Sequence, residues 1–338
     1  MPVPVPAPLA IDTIGTPTLW AATIGGVVLL LALDFVATRR PHEVSMREAV
    51  AWSAFYVALP LAFGVFIWQQ HGGARGVEYY TGYLVEKSLS VDNLFVFMLL
   101  LAAFAVPPAL RQRVLLYGIV GALVLRGIFI ALGAAALSAF DWVFLVFGLA
   151  LLLTGLKLLR DAVTGAGHTE QDVSSMRSVR LLRRVMPVAD EYDGPRLLTR
   201  LGNARALTPF ALVTAAVLVT DVVFAVDSVP AVYGITGDPF LVFATNAFAL
   251  LGLRALYFVL EGALSSLVYL GYGLATILAF IGVKLVLHWA HGEWASVPEI
   301  PTVLSLGVIV AVLALTVALS LRASARREAR SRSEASAG

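Results

Sequence analysis

Cysteine is absent from the 338 residues. That removes disulfides, thiolate nucleophiles and the sulfur sites that favour copper(I) or zinc, so any metal handled by this chain must be held by oxygen or imidazole. Charge is scarce as well: Asp, Glu, Lys and Arg make up 14% of the chain, against 59% hydrophobic residues. A soluble globular domain is roughly one quarter charged, so this composition excludes one and points to a polytopic membrane protein. No Gly-x-x-x-x-Gly-Lys loop occurs, which excludes Walker-type ATP coupling within the chain. No nucleophile and base stand together, so an enzyme is not expected. The formal net charge of +2 lies in loops and at helix ends rather than along one face, and it gives no ground for nucleic-acid binding. Lys and Arg are also missing ahead of the first apolar run, so the N-terminal MPVPVPAPLA lacks the positive region of a cleavable signal peptide and reads as an extended tail.

What the chain has instead is long apolar runs. At about 20 residues per span, they predict an all-α polytopic membrane protein with about nine transmembrane helices, near 17–38, 48–69, 84–106, 112–136, 141–160, 208–233, 239–262, 268–290 and 301–321. Arginine marks alternate connections: Arg39, Arg40 and Arg47 in the first, Arg111 and Arg113 in the third, seven in the fifth between 161 and 207, and five from Arg322 onward. The intervening connections carry little beyond Arg75. The positive-inside rule then places the N-terminus outside and the C-terminus in the cytoplasm, in agreement with an odd helix count. The basic loop 161–207, with an amphipathic stretch around Ser174–Met186, is expected to touch anionic lipid or to dock a partner, and 322–338 reads as a disordered cytoplasmic tail.

Inside these spans lie two acidic pairs of matching six-residue spacing, Glu86 with Asp92 and Asp221 with Asp227. A carboxylate near the bilayer centre costs at least about 2.5 to 3.5 kcal/mol, so four of them mark a functional site. Aligning the pairs exposes an internal duplication: Gly121 to Arg126 then faces Ala249 to Arg254, and Gly155-x-Lys157 faces Gly282-x-Lys284. Each unit holds three spans, residues 78–160 and 208–291, so the second must cross with opposite orientation. That is a 3+3 inverted-topology repeat, an architecture of secondary transporters with the site at midplane between the repeats. The helices within 17–70 and 301–321 are then peripheral, and residues 1–16 form an extracytoplasmic tail.

The four acids are the expected metal ligands, supported by Ser90, Asn93, Thr220, Ser228, Thr245 and Asn246. Such an oxygen inventory suits Mn²⁺, Mg²⁺ or Ca²⁺, and spacing alone does not rank these ions. Arg126, Arg254, Lys157 and Lys284 are the candidate counter-charges; simple intramembrane salt bridges to Arg126 or Arg254 are the bland alternative, and both lysines are expected to snorkel. A six-residue step turns about 600° along a helix and leaves two acids about 120° apart. Either the helix is unwound, with Pro230 a candidate cause, or the acids divide their labour. Asp34 is a peripheral candidate, read as pairing with Arg39 at a helix end, and His288 and His291 sit where they could share a face at the outer mouth.

The stretches EKSLSVDNLFVF from Glu86 to Phe97, TDVVFAVDSVPAV from Thr220 to Val232 and DPFLVFATNAFALLGLRALYF from Asp238 to Phe258 closely resemble the TerC family of integral membrane proteins, which includes Alx-like manganese exporters. The resemblance spans roughly residues 17–320; a minor departure is Tyr117-Gly118, where relatives more often carry Trp before Gly. It implies a nine-span protein of the bacterial inner membrane that exports Mn²⁺ through Glu86, Asp92, Asp221 and Asp227. Alternating access coupled to proton antiport is the expected mechanism, since acids that must protonate to release a cation suit an antiporter. The alternative is a membrane assembly or scaffold factor, serving protein insertion, metal supply to exported enzymes or tellurite tolerance, with structural acids and a partner on the basic loop. The expected partners are otherwise lipid, the transported cation and protons.

Overall fold

A computed structural model describes residues 13–37, 46–164, 188–189, 191–201, 204–260, 268–294 and 296–335. Ten helices are formed there: α1 (Pro17–Ala37), α2 (Met46–His71), α3 (Gly73–Ala103), α4 (Pro108–Ala139), α5 (Trp142–Thr164), α6 (Pro209–Tyr233), α7 (Pro239–Leu251), α8 (Leu253–Leu260), α9 (Leu270–Glu293) and α10 (Thr302–Ala335). Seven of them, all but α3, α7 and α8, are long and apolar enough to cross a membrane. The remaining crossings expected from the sequence fall on α3, which carries Glu78, Glu86, Lys87 and Asp92, and on α7 with α8. These two are one run, expected to be a continuous helix, that breaks at Gly252.

Helix starts follow from local chemistry. Thr208 caps α6, its hydroxyl accepting from Ala211 N at 3.2 Å, and Pro209 occupies the first turn, where no amide donor is required. Asp238 does the same for α7, accepting from Phe240 N at 2.9 Å. Its carboxylate also accepts from Thr13 Oγ1 at 2.6 Å and Ile14 N at 2.8 Å, which fastens the segment leading into α1. Asp238→Ala removes cap and clasp together and is expected to destabilise the protein by about 1–2 kcal/mol. The measurement is reversible unfolding in mixed micelles, where a midpoint equal to wild type would show that neither bond matters.

Packing interleaves the two halves of the chain. α4 packs on α6, α7 packs on α3, α3 meets α6, and α5 lies along α9. The last contact is backbone against backbone. A Cβ at Gly148 would meet Gly282 O at 2.9 Å, and a Cβ at Gly155 would meet Ala275 O at 3.0 Å, so the two helices run antiparallel. α1 and α2 lie outside, with many large apolar side chains exposed, as lipid contact requires.

One expectation is corrected. Residues 322–335, read as disordered, continue α10 to Ala335; Ala, Arg and Glu are strong helix formers, and an apolar helix already supplies the nucleus. Within the basic loop a two-stranded hairpin forms, β1 (Leu198–Leu201) with β2 (Ala204–Leu207). Nearby, the Tyr192 hydroxyl donates to Phe104 O at 2.7 Å, and partial burial pushes it up to about 12. The amphipathic stretch Ser174–Met186 lies outside the described residues.

Candidate ion site at the centre of the bundle

Glu86, Ser90 and Asn93 lie four and three residues apart on α3, so one face of that helix presents all three. Asp221 and Ser228, seven apart, do the same on α6. Between them α4 inserts Arg126, whose side chain is 0% exposed. Its Nε and Nη2 form a fork on Asp221, donating to Oδ2 at 3.0 Å and Oδ1 at 2.9 Å. Nη1 donates to Glu86 Oε1 and to Ser228 Oγ at 3.1 Å. The Asn93 amide, with its nitrogen donating to Leu89 O at 3.0 Å, accepts from Nη2 at 3.2 Å. One guanidinium thus bridges an acid from each half of the chain, with all its donor directions engaged.

The cluster is incomplete on its other side. Glu86 Oε2, Ser90 Oγ and Asn246 Nδ2 are buried without a close, well-aligned hydrogen bond, the Asn246 amide lying beside the Glu86 carboxylate. Buried polar atoms are rarely left so, because each forfeits hydration without replacement. Two carboxylates against one guanidinium also leave one formal negative charge. The arrangement suits a proton, a water or a small cation on the free side of Glu86, with Ser90 and Asn246 as further oxygen donors once the amide turns.

Asp221 and Asp227 do not converge. α3 and α6 are unbroken helices, even through Pro230, so the six-residue step sets the two positions of each pair about 120° apart around the helix. Asp227 is half-buried on another face of α6, where it accepts from Thr154 Oγ1 of α5 at 2.8 Å and feels the exposed Lys157. Asp92 stands on α3 about 9 Å from Glu86 along the axis; its side chain lies outside those described. Among the described residues no three His, Asp or Glu gather as a ready metal cage. Thr220 is half-buried without a described bond to the cluster, and the Thr245 hydroxyl is spent on its own helix, donating to Leu241 O at 2.9 Å.

Arg254, expected to balance the site acids, pairs instead with Asp34 of α1; Arg39, the expected partner of Asp34, lies outside the described residues. The Tyr56 hydroxyl of α2 donates to the same carboxylate. This second buried pair ties α1 and α2 to α8. Beside it Lys87 donates to Ala249 O at 3.4 Å, placing an ammonium against the carbonyl end of α7 at the break. Sequence reasoning passed over Lys87, although an ionisable residue at mid-span is itself a signal. Lys284 does not snorkel into open solvent: it is 9% exposed. His288 and His291 do not act as a pair, since His288 Nδ1 meets Glu299 Oε1 at 2.5 Å while His291 Nδ1 donates to Val297 O at 2.6 Å.

Comparison with known proteins gives the family. Residues 71–328 match the profile of the integral membrane protein TerC family, which takes in the whole central cluster. A protein of Escherichia coli strain K12, provisionally named membrane-bound redox modulator Alx, is 41% identical over 316 residues, covering 90% of this chain and 94% of its own. An uncharacterized membrane protein of Myxococcus xanthus is 39% identical over 310 residues, covering 91% and 93%. One of Mycobacterium tuberculosis strain H37Rv is 41% identical over 314 residues, covering 89% and 78%. No solved structure matches.

Proposed function

Because this chain belongs to the TerC family of integral membrane proteins, we propose that its buried carboxylate centre is the ion site of a divalent-cation exporter, moving Mn²⁺ outward by alternating access against protons. The observation that carries the reading is Arg126, a fixed cation shared by Glu86 and Asp221, beside a buried Glu86 oxygen that has only the Asn246 amide near it. In this mechanism the guanidinium offsets one of the two carboxylate charges in the empty site. An arriving Mn²⁺ draws both carboxylates from it, with Ser90, Asn246 and waters completing an oxygen shell. Protonation of the acids on the outer side releases the ion.

Two further features support the reading. The acids are ordered along the bundle axis: Asp92 is nearer the Arg-rich end, Glu86 and Asp221 are central, and Asp227 is about 9 Å beyond. With the positive-inside rule the Arg-rich end is cytoplasmic, which makes that order a path outward. Packing also fits an inverted repeat. The second helix of each half packs on the first helix of the other, and the shift that aligns Gly155 with Gly282 aligns Gly148 with Ala275, so the α5–α9 contacts exchange with one another. The relatives' name speaks of redox modulation; this chain has no thiol couple, so here any redox effect would pass through the metal it moves.

The test is Mn²⁺ flux in proteoliposomes under an imposed pH gradient, with Mg²⁺ and Ca²⁺ as competitors. Asp221→Asn, at equal reconstituted amounts, is expected to lower flux about tenfold or more. Equal flux from the variant and wild type would sink the central site, and flux indifferent to the gradient would sink proton coupling.

A further inference from the structure

At the end of the bundle opposite the Arg-rich connections, a cavity of about 400 Å³ opens between the last turn of α6, α9 and the segment before α10. Its polar lining includes Thr236, Lys284, His288, Glu299 and Thr302. The His288 ring is set by edge-on packing against Phe144, with centroids 4.7 Å apart, and by the 2.5 Å contact of Nδ1 with Glu299 Oε1. Both side chains remain about half exposed, at 47% and 49%. Lys284 lines the same space from α9, and its ammonium interacts with Glu299 and with Glu78 of α3. Glu78 in turn accepts from Thr236 Oγ1 at 2.7 Å and Arg75 Nη1 at 2.9 Å. Glu78 and Glu86 are eight residues apart on α3, with Gly82 between them packed against Thr245 and Val232. A single helix therefore links this cavity to the central cluster.

The chemistry of the lining favours a cation held weakly. An imidazole, a carboxylate and the carbonyl end of α6 are attractive to a divalent ion, and imidazole with carboxylate suits Mn²⁺. Among the described residues no third acid or histidine closes a cage, so water must fill most of the coordination shell. A fixed ammonium in the wall opposes residence. We propose that this cavity is the release site for the transported ion, with His288 and Glu299 as transient ligands and Lys284 as the fixed charge that keeps affinity low and resists return. The assignment of cargo and direction rests on the proposed export function. A site that binds tightly at the exit would trap the ion; one repelled by a tethered cation gives it up.

The experiment is Mn²⁺ binding to the purified full chain in lipid nanodiscs, followed by electron paramagnetic resonance. Lys284→Met is expected to create a Mn²⁺ site about tenfold or more tighter than any this cavity offers in wild type. Adding Glu299→Gln or His288→Ala to it should abolish that gain, and Lys284→Arg, which keeps the charge, should bind as wild type does. The same gain must persist when Asp221→Asn removes the central site. Wild-type affinity in a folded Lys284→Met protein, or a gain that survives Glu299→Gln, overturns the release site. Wild-type binding that is indifferent to Asp221→Asn instead counts against the central site, so the two readings fail separately.

Discussion

Arg126→Gln is expected to destabilise the protein by about 3–5 kcal/mol, because truncating one member of a buried ion cluster leaves its partners charged and uncompensated. Glu86 and Asp221 would face each other across the bundle with only Ser228, Asn93 and a neutral amide between them. The same change should make stability depend on divalent cation. If Mn²⁺ and the guanidinium compete for one pair of carboxylates, millimolar Mn²⁺ should restore about 2–3 kcal/mol to Arg126→Gln, as a ligand at about a hundred times its dissociation constant would. The doubly changed Arg126→Gln/Asp221→Asn protein should be less destabilised than Arg126→Gln and respond little to the metal. The measurement is the unfolding midpoint in detergent with and without Mn²⁺. An Arg126→Gln midpoint equal to wild type would mean the cluster does not hold the helices together, and equal Mn²⁺ responses in both proteins would refute exchange at the carboxylates.

Gly282→Leu is the second large effect. A Cβ there would lie 2.9 Å from Gly148 O and 3.0 Å from Leu152 N, and backbone atoms have no rotamer by which to yield. Overpacking of a core costs about 1–3 kcal/mol where side chains can shift, and this contact should reach or exceed that range because α5 and α9 must part. Gly25→Leu is the matched control: nothing lies within 4 Å of its Cβ, and it should fall within about 0.5 kcal/mol of wild type. Spin labels on α5 and α9 should report a wider separation in Gly282→Leu only. Comparable midpoints for the two variants would mean that the close packing carries no stability. If the interlocked halves move as bodies, Mn²⁺ flux should fall with the same change.

Much of this arrangement was legible from local pattern. Apolar runs placed most helices within a few residues, α3 starting well before its expected span and α10 ending well after, and the acid spacing singled out Glu86, Asp92, Asp221 and Asp227 together, since both the cost of an intramembrane charge and the turn of a helix are local properties. Whether the helices unwind between the acids was open on the same grounds. They run unbroken through Asp92 and Asp227, with Asp227 turned to Thr154 on α5. The break at Gly252 was not legible. A glycine inside an apolar run is commonly tolerated, and this one matters because a Cβ would sit 2.8 Å from Lys87 Nζ and 3.2 Å from Tyr56 Cβ. Nor did the alignment of Arg126 with Arg254 in sequence reveal that the two go to different partners, Arg126 to Glu86 and Asp221 and Arg254 to Asp34 of α1.

By itself the sequence determined that this is an all-α membrane protein, roughly where its helices run, and which acids are too costly to be incidental. Composition and periodicity encode those facts within a few turns of chain. Which charge meets which was decided only in three dimensions. Arg126 reaches partners 40 and 95 residues away, and Arg254 one 220 away. Such pairings are fixed by how helices cross and how deep each side chain lies. Residues alike in sequence become a shared central cation in one half and a peripheral clasp in the other, because their neighbours across the bundle differ.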